Sequence, residues 1–230
     1  MRVRPQWNRM NFDIAALALW VLPLLLALVF HEWAHGYVAK RLGDDTASRL
    51  GRLTLNPLAH VDPVGTIALP ALLFFSGSPF MFGWAKPVPV NFGRLRNPRR
   101  DMVLVALAGP AMNLVLAALC AAALPLVASL GAAPEAATGG LEFAKPLMIM
   151  CTMGLQLNII LAVFNMLPIP PLDGGRVAVG LLPRYLGDRL AQVEPYGFLI
   201  VMALLMTNVL DFVLFPLTRG LLRGLLAVFA

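Results

Sequence analysis

The chain is poor in charge. Only 13% of its 230 residues are Asp, Glu, Lys or Arg, while 59% are hydrophobic; soluble domains carry about 25% charged residues. That shortage excludes an ordinary water-facing surface over most of the chain. Cysteine is scarce too. Cys120 and Cys151 are the two present, both lie in apolar stretches, and no Cys-x-x-Cys occurs. A disulfide framework or thiolate zinc finger is therefore not expected, and both read as small packing residues. Long polar stretches are missing, which leaves no room for a second, water-soluble core.

What is present is apolar and long. Blocks at 14–30, 102–130, 147–167 and 197–206 with its flanks approach the roughly 20 residues that cross about 30 Å of hydrocarbon. The chain reads as an all-α polytopic membrane protein in one membrane-embedded domain, 1–230. It has four firm transmembrane helices, near 12–41, 102–130, 146–167 and 195–217, plus one re-entrant or short spanning segment at 65–84. The first block runs into a charged motif without an A-x-A cleavage site, so it is not read as a removable signal peptide. The loop after the first helix, "GDDTASRLGRLTLNPLAHVDPVG", alternates apolar and polar residues between turn signals, and short β pieces are expected there.

The net charge of +6 does not point to nucleic acid. The cations sit between apolar blocks, where they act as topology signals. Lys86, Arg94, Arg96, Arg99 and Arg100 place the loop 86–101 in the cytoplasm, as do Arg176, Arg184 and Arg189 for the loop after 167, whereas 131–145 reads as an outside loop. Pro70 and "SGSP" (76–79) divide 65–84. If that segment dips and returns, both basic loops (40–62 and 86–101) share one side. The amino-terminal Arg2, Arg4 and Arg9 pull toward the opposite arrangement, in which 65–84 spans.

The first apolar helix carries "HEWAH". His31 and His35 stand one helical turn apart on one face and can grip one Zn²⁺, while Glu32 is offset to reach a metal-bound water. Histidines in a span also serve as packing or interfacial residues. Buried ionisable groups without partners are costly, however, and three together point to function. A catalytic zinc needs a third protein ligand and an open position. The candidates near apolar segments are Asp13, His60, Asp62, Asp173 and Asp211. Asp173 is favoured, because it follows a proline-broken helix end and precedes Gly174-Gly175. The same run, "PPLDGG", also has the composition of a tight surface turn.

"HEWAH", "LAGPAMN" (107–113) and "FNMLPIPPLDGGR" (164–176) together resemble the site-2 protease family of intramembrane zinc metalloproteases. "GRLTLNPLAHVDPVGT" and "FGWAKPVPVN" are similar to its bacterial members with a bare catalytic core. No PDZ or CBS domain is apparent. The resemblance implies one Zn²⁺ held by His31, His35 and Asp173, with Glu32 as acid/base. It also implies an integral protein of the bacterial cytoplasmic membrane; if 65–84 dips and returns, the first span runs from outside to inside and His31, roughly 26 Å along it, lies in the cytoplasmic half. The substrate implied is a transmembrane segment of another protein, which must unwind in the bilayer before hydrolysis.

Asn113 and Asn165 are candidate helpers that hold substrate backbone or neighbouring groups, though Asn in spans also makes plain interhelical hydrogen bonds. The run "KPVPV" is a candidate strand edge for the unwound substrate, with Pro87 and Pro89 leaving one edge able to pair. His60 reads as a solvated loop histidine, and Asp211 with Asn208 as a marker of the membrane surface. Two rival functions stand beside the protease: a non-hydrolytic zinc-binding membrane scaffold or transporter, and a membrane peptidase acting on soluble peptides.

Overall fold

The computed structural model describes residues 14–77, 83–131 and 141–229. The expectations resting on Arg2, Arg4, Arg9 and Asp13, on residues 78–79, and on most of the 131–145 loop lie outside the described residues. The chain forms α1 (Ile14–Arg41), α2 (Thr46–Arg49), α3 (Leu69–Phe75), α4 (Pro98–Gly131), α5 (Leu141–Asn165), α6 (Asp173–Leu181), α7 (Arg184–Ala191), α8 (Glu194–Met206) and α9 (Asp211–Phe229). Among the described residues, four stretches are long and apolar enough to cross a membrane, Leu19–Arg41, Pro98–Gly131, Phe143–Asn165 and Asp211–Phe229, or five if α7 and α8 count as one bent span.

α4 is the central helix and packs against α1, α5, α6 and α9. Small residues let these helices approach, as expected where lipid and protein are equally apolar. Ala27, Ala117 and Ala121 are fully buried. A Cβ on Gly154 would come within 2.9 Å of Cys120 Sγ, so this glycine seats α5 against α4. Cys120 and Cys151 are free thiols, in keeping with a packing role.

Two expectations need correction. No strand occurs among the described residues, so the short β pieces after α1 are absent. Side chains satisfy much of the loop backbone instead of a ladder. Thr54 Oγ1 accepts from the Asn56 N–H, Asn56 Oδ1 accepts from Leu58, and Asp62 Oδ1 accepts from Val64 and Gly65. The alternation was that of caps and turns. The last span is also displaced. The stretch 195–217 is broken after Met206, and Asn208 adopts φ 55°, a left-handed conformation that Asn tolerates better than most residues. The apolar span resumes as α9, while α7 and α8 meet at 71°.

The segment 65–84 returns to where it entered. Trp84 N–H donates to Gly65 O at 3.1 Å and Lys86 N–H to His60 O at 2.8 Å, and Thr66 Oγ1 donates to Trp84 O at 2.8 Å. The meeting of its two ends fits the dip-and-return arrangement, in which a single crossing is not made. Arg96 N–H donates to Leu42 O at 3.0 Å, which sets the end of α1 beside the start of α4. Both basic loops therefore share one end of the bundle. Residues 83–91 form an extended strap across that end.

Candidate metal centre

α1 presents His31 and His35 one turn apart, with ring centroids 4.6 Å from each other and edge to face. Their Nε2 atoms lie 3.0 Å apart. Asp173, at the first position of α6, brings Oδ2 to 3.1 Å from His31 Nε2 and 3.3 Å from His35 Nε2. One ligand atom from each residue falls within 4.8 Å of the others. Asp173 Oδ2 is buried, and no donor meets it in hydrogen-bonding geometry. Two imidazole nitrogens and a carboxylate oxygen, converging with an orphaned anion among them, fit a divalent zinc ion. Zinc accepts such a donor set and keeps a fourth position for chemistry.

The sequence builds this convergence by removing side chains. A Cβ on Gly109 of α4 would fall onto His35 Nε2 and within 2.6 Å of His31 Nε2. Gly174 and Gly175 likewise leave no space for a Cβ, because the backbone of Met166–Leu167 and of Ile169–Pro170 occupies it. Neither has positive φ. The pair acts by allowing α6 to tuck under the end of α5, and not by bending the chain as a flexible joint.

The far ring nitrogens are fixed by α4. His35 Nδ1 lies 2.7 Å from Val105 O, and His31 Nδ1 lies 2.5 Å from Asn113 Oδ1. Both acceptors require an N–H on Nδ1, which leaves both Nε2 lone pairs for a metal. Asn113 is fully buried and belongs to this layer behind the metal cluster.

Glu32 Oε2 accepts the Val88 N–H at 2.8 Å, so the strap lies directly over the acid. Two cavities meet here, sharing His31, Glu32, Asn165, Pro171 and Leu172. One, of about 260 Å³, extends along Pro87, Val88, Val90 and Phe92 to Asp173 and Arg176. The other, of about 340 Å³, is walled by Leu28, Leu161, Phe164, Phe198 and Val201. Asn165 borders both, and its Nδ2 donates to Leu161 O at 3.0 Å. The strap has few backbone groups left for strand pairing. Lys86 and Val88 spend their N–H groups on His60 O and Glu32, and Arg52 Nη2 bonds the carbonyls of Lys86 and Pro87 at 3.0 and 3.1 Å.

The family model "Peptidase family M50" matches residues 19–208, from α1 to the turn before α9. The chain belongs to peptidase family M50. Among its M50 relatives, "Putative zinc metalloprotease YwhC" of Bacillus subtilis is 38% identical over 210 residues, covering 91% of this chain and 90% of that one. "Putative zinc metalloprotease Rip2" of Mycolicibacterium smegmatis is 34% identical over 195 residues, 81% of this chain and 66% of that one. Its namesake in Mycobacterium tuberculosis is 36% identical over 150 residues, 65% of this chain and 52% of that one. No solved structure matches. The M50 protein is an intramembrane zinc metalloprotease, and every residue of the His31–His35–Asp173 cluster lies inside the matched stretch.

Of the residues singled out in the sequence, His31, Glu32, His35, Asp173, Asn113 and Asn165 gather here. His60 and Asp62 do not. His60 is 3% exposed and not solvated; its Nε2 bonds Thr54 O at 2.9 Å. Asp211 starts α9, far along the chain from the site elements. Sequence reasoning missed Asn158, which is 3% exposed and bonds Asn113 at 2.8 Å. Its one signal is an amide, two residues after Gln156, in a largely apolar span, and that signal alone does not separate packing from function.

Proposed function

We propose that this M50 protein hydrolyses a peptide bond in or beside a transmembrane segment of another membrane protein, as an endopeptidase of site-2 type. One zinc ion is held by His31, His35 and Asp173, and Glu32 is the acid/base. The observation that carries the reading is the meeting of residues from α1 and α6 at one point beside Glu32, where an apolar cavity joins a more polar one.

A zinc ion held by His31, His35 and Asp173 would supply Lewis acidity and make the attacking water more acidic, toward a pKa of about 7. The remaining chemistry belongs to the chain. Glu32 takes the proton from the attacking water on a carboxylate oxygen and returns it to the amine nitrogen of the departing segment. The Val88 N–H holds that carboxylate in place before substrate arrives. Asn165, on the border of both cavities, is placed to hydrogen-bond the substrate backbone beside the scissile bond. The walls of Leu28, Phe164, Phe198 and Val201 suit the apolar side chains of a membrane segment, and they exclude bulk water.

The protein lies in a bacterial cytoplasmic membrane with the site in the cytoplasmic half. Support comes from the bacterial relatives and from the basic loops gathered at the end of the bundle that carries the site. A scaffold or transporter has no need of Glu32. The test compares a full-length single-span substrate in vesicles with its excised soluble peptide, using wild type and Glu32→Gln. Cleavage of the membrane substrate by wild type, with loss of cleavage but retention of zinc in Glu32→Gln, is expected. Cleavage unchanged in Glu32→Gln removes the enzyme assignment, and preference for the soluble peptide removes the substrate class.

A further inference from the structure

Asn158 is an asparagine on α5 that touches neither the metal cluster nor the cavities. Its Nδ2 donates to Gly154 O at 2.8 Å, and its Oδ1 accepts from Asn113 Nδ2 at 2.8 Å. Asn113 Nδ2 also donates to Ala27 O, one turn before His31 on α1, at 3.2 Å. Asn113 Oδ1 then lies 2.5 Å from His31 Nδ1. The path runs Gly154, Asn158, Asn113, His31 and crosses three helices.

Each step has one allowed polarity. A backbone carbonyl only accepts, so Gly154 forces the Asn158 amide to turn its NH₂ toward it and its oxygen toward Asn113. That oxygen, with the Ala27 carbonyl, takes both hydrogens of the Asn113 amide. Asn113 can then offer His31 only an oxygen. His31 must answer with an N–H on Nδ1, so its neutral ring carries its lone pair on Nε2, facing His35 Nε2 and Asp173. With Asn113 and Asn158 at 0% and 3% exposure, bulk water does not compete for these bonds.

We infer that Asn158 is a positioning residue for the metal centre: through Asn113 it sets the tautomer of His31 and so presents Nε2 to zinc. This deepens the zinc reading above and rests on it for its consequence, though the tautomer itself needs no metal. His35 obtains the same setting from one bond to the Val105 carbonyl. The two ligand histidines are therefore fixed by different means, one directly and one through a relay open to mutation. Loss of a hydrogen-bonding partner behind a metal-ligating histidine typically costs about 10- to 100-fold in metal affinity.

The experiment uses the full chain with ¹⁵N-labelled histidine. The chain has three histidines, and His60 bonds the Thr54 carbonyl through Nε2. Zinc-stripped wild type at about pH 9, above the usual imidazole range, should show two Nδ1–H rings and one Nε2–H ring. Asn158→Leu removes the amide and keeps a side chain branched at Cγ. It should convert one Nδ1–H ring to a tautomer mixture and raise the zinc dissociation constant, measured by chelator competition, by about 10- to 100-fold. Should the leucine variant fail to fold, Asn158→Ala reads the same two quantities. Two intact Nδ1–H rings and an unchanged dissociation constant in a folded variant overturn the inference. Wild type that shows the expected tautomers yet binds no zinc overturns the metalloprotease assignment and leaves the relay standing.

Discussion

Glu32 Oε2 receives the N–H of Val88 at 2.8 Å, across 56 positions of sequence. The donor is special to its neighbourhood, since Pro87 and Pro89 on either side have no N–H to offer. Glu32, the proposed acid/base, is therefore anchored by the strap that roofs the site. Val88→Pro deletes that donor in a stretch already held extended by Pro89. We expect kcat for a single-span substrate to fall about 10- to 100-fold, the scale of a roughly 1 Å misplacement of a reacting group, with zinc content unchanged. Val88→Ala keeps the N–H and should keep most of the rate. Equal losses in the two variants would mean that the valine side chain, and not its amide, matters.

Gly109 lies where α4 passes the two imidazoles, and a methyl group there collides with both. Gly109→Ala should displace His31 and His35, lower zinc content, and destabilise the fold by about 1–3 kcal/mol, as overpacking does. Gly224 of α9 is the control, because nothing lies within 4 Å of a Cβ built there. Gly224→Ala should leave zinc and cleavage unchanged and, by helix propensity, stabilise by up to about 1 kcal/mol. Zinc analysis with thermal unfolding of both variants reads the contrast.

The site was legible where chemistry is local. His31, Glu32 and His35 fall on adjacent turns of one helix, so periodicity alone places them. Asp173 is remote in sequence, and the residues favoured it only as the best of several acids; the resemblance to a known motif narrowed the choice. Asn158 was not legible, because the bond that makes it matter depends on the register of α4 against α5, which Gly154 and Cys120 set in three dimensions. The break between α8 and α9 escaped notice for a related reason. Thr207 and Asn208 are weak helix breakers, and the left-handed turn at Asn208 follows from packing. In the loop after α1, alternation misled because capping side chains of Asn56 and Asp62 repeat at short intervals much as strand residues do.

The cluster's own metal should be a stability element. An ion that binds the folded chain and not the unfolded one adds RT ln(1 + [L]/Kd), about 2.7 kcal/mol at one hundred times Kd. Chelation should therefore lower the thermal midpoint of wild type, and added zinc should restore it. Asp173→Ala removes the carboxylate whose buried oxygen makes no hydrogen bond, so its midpoint should respond little to either chelator or zinc. A variant with the wild-type response would show that Asp173 is not a ligand.

Asp44 ties the strap to the end of α1 and makes that tie sensitive to acid. It is 1% exposed; Oδ2 accepts the Asn91 N–H at 2.7 Å, and Oδ1 accepts from the Thr46 N–H at 3.1 Å and from its hydroxyl. Burial pushes its pKa up, but these bonds and the nearby Arg94 prevail and hold it below its ordinary 3.8. A carboxyl with a depressed folded pKa contributes stability that is fully present above the unfolded value. That contribution is lost as pH falls through the folded one. The strap should thus stay docked at neutral pH and loosen only below about pH 4. Limited proteolysis of residues 84–92 across that range should show cleavage rising as pH drops, with a protease active in acid. Asp44→Asn should be open to cleavage already at neutral pH and lose the acid step, because its amide cannot reproduce a charged acceptor for three donors. A strap protected equally in both proteins at every pH would assign its docking to other contacts, such as Arg52 on the carbonyls of Lys86 and Pro87.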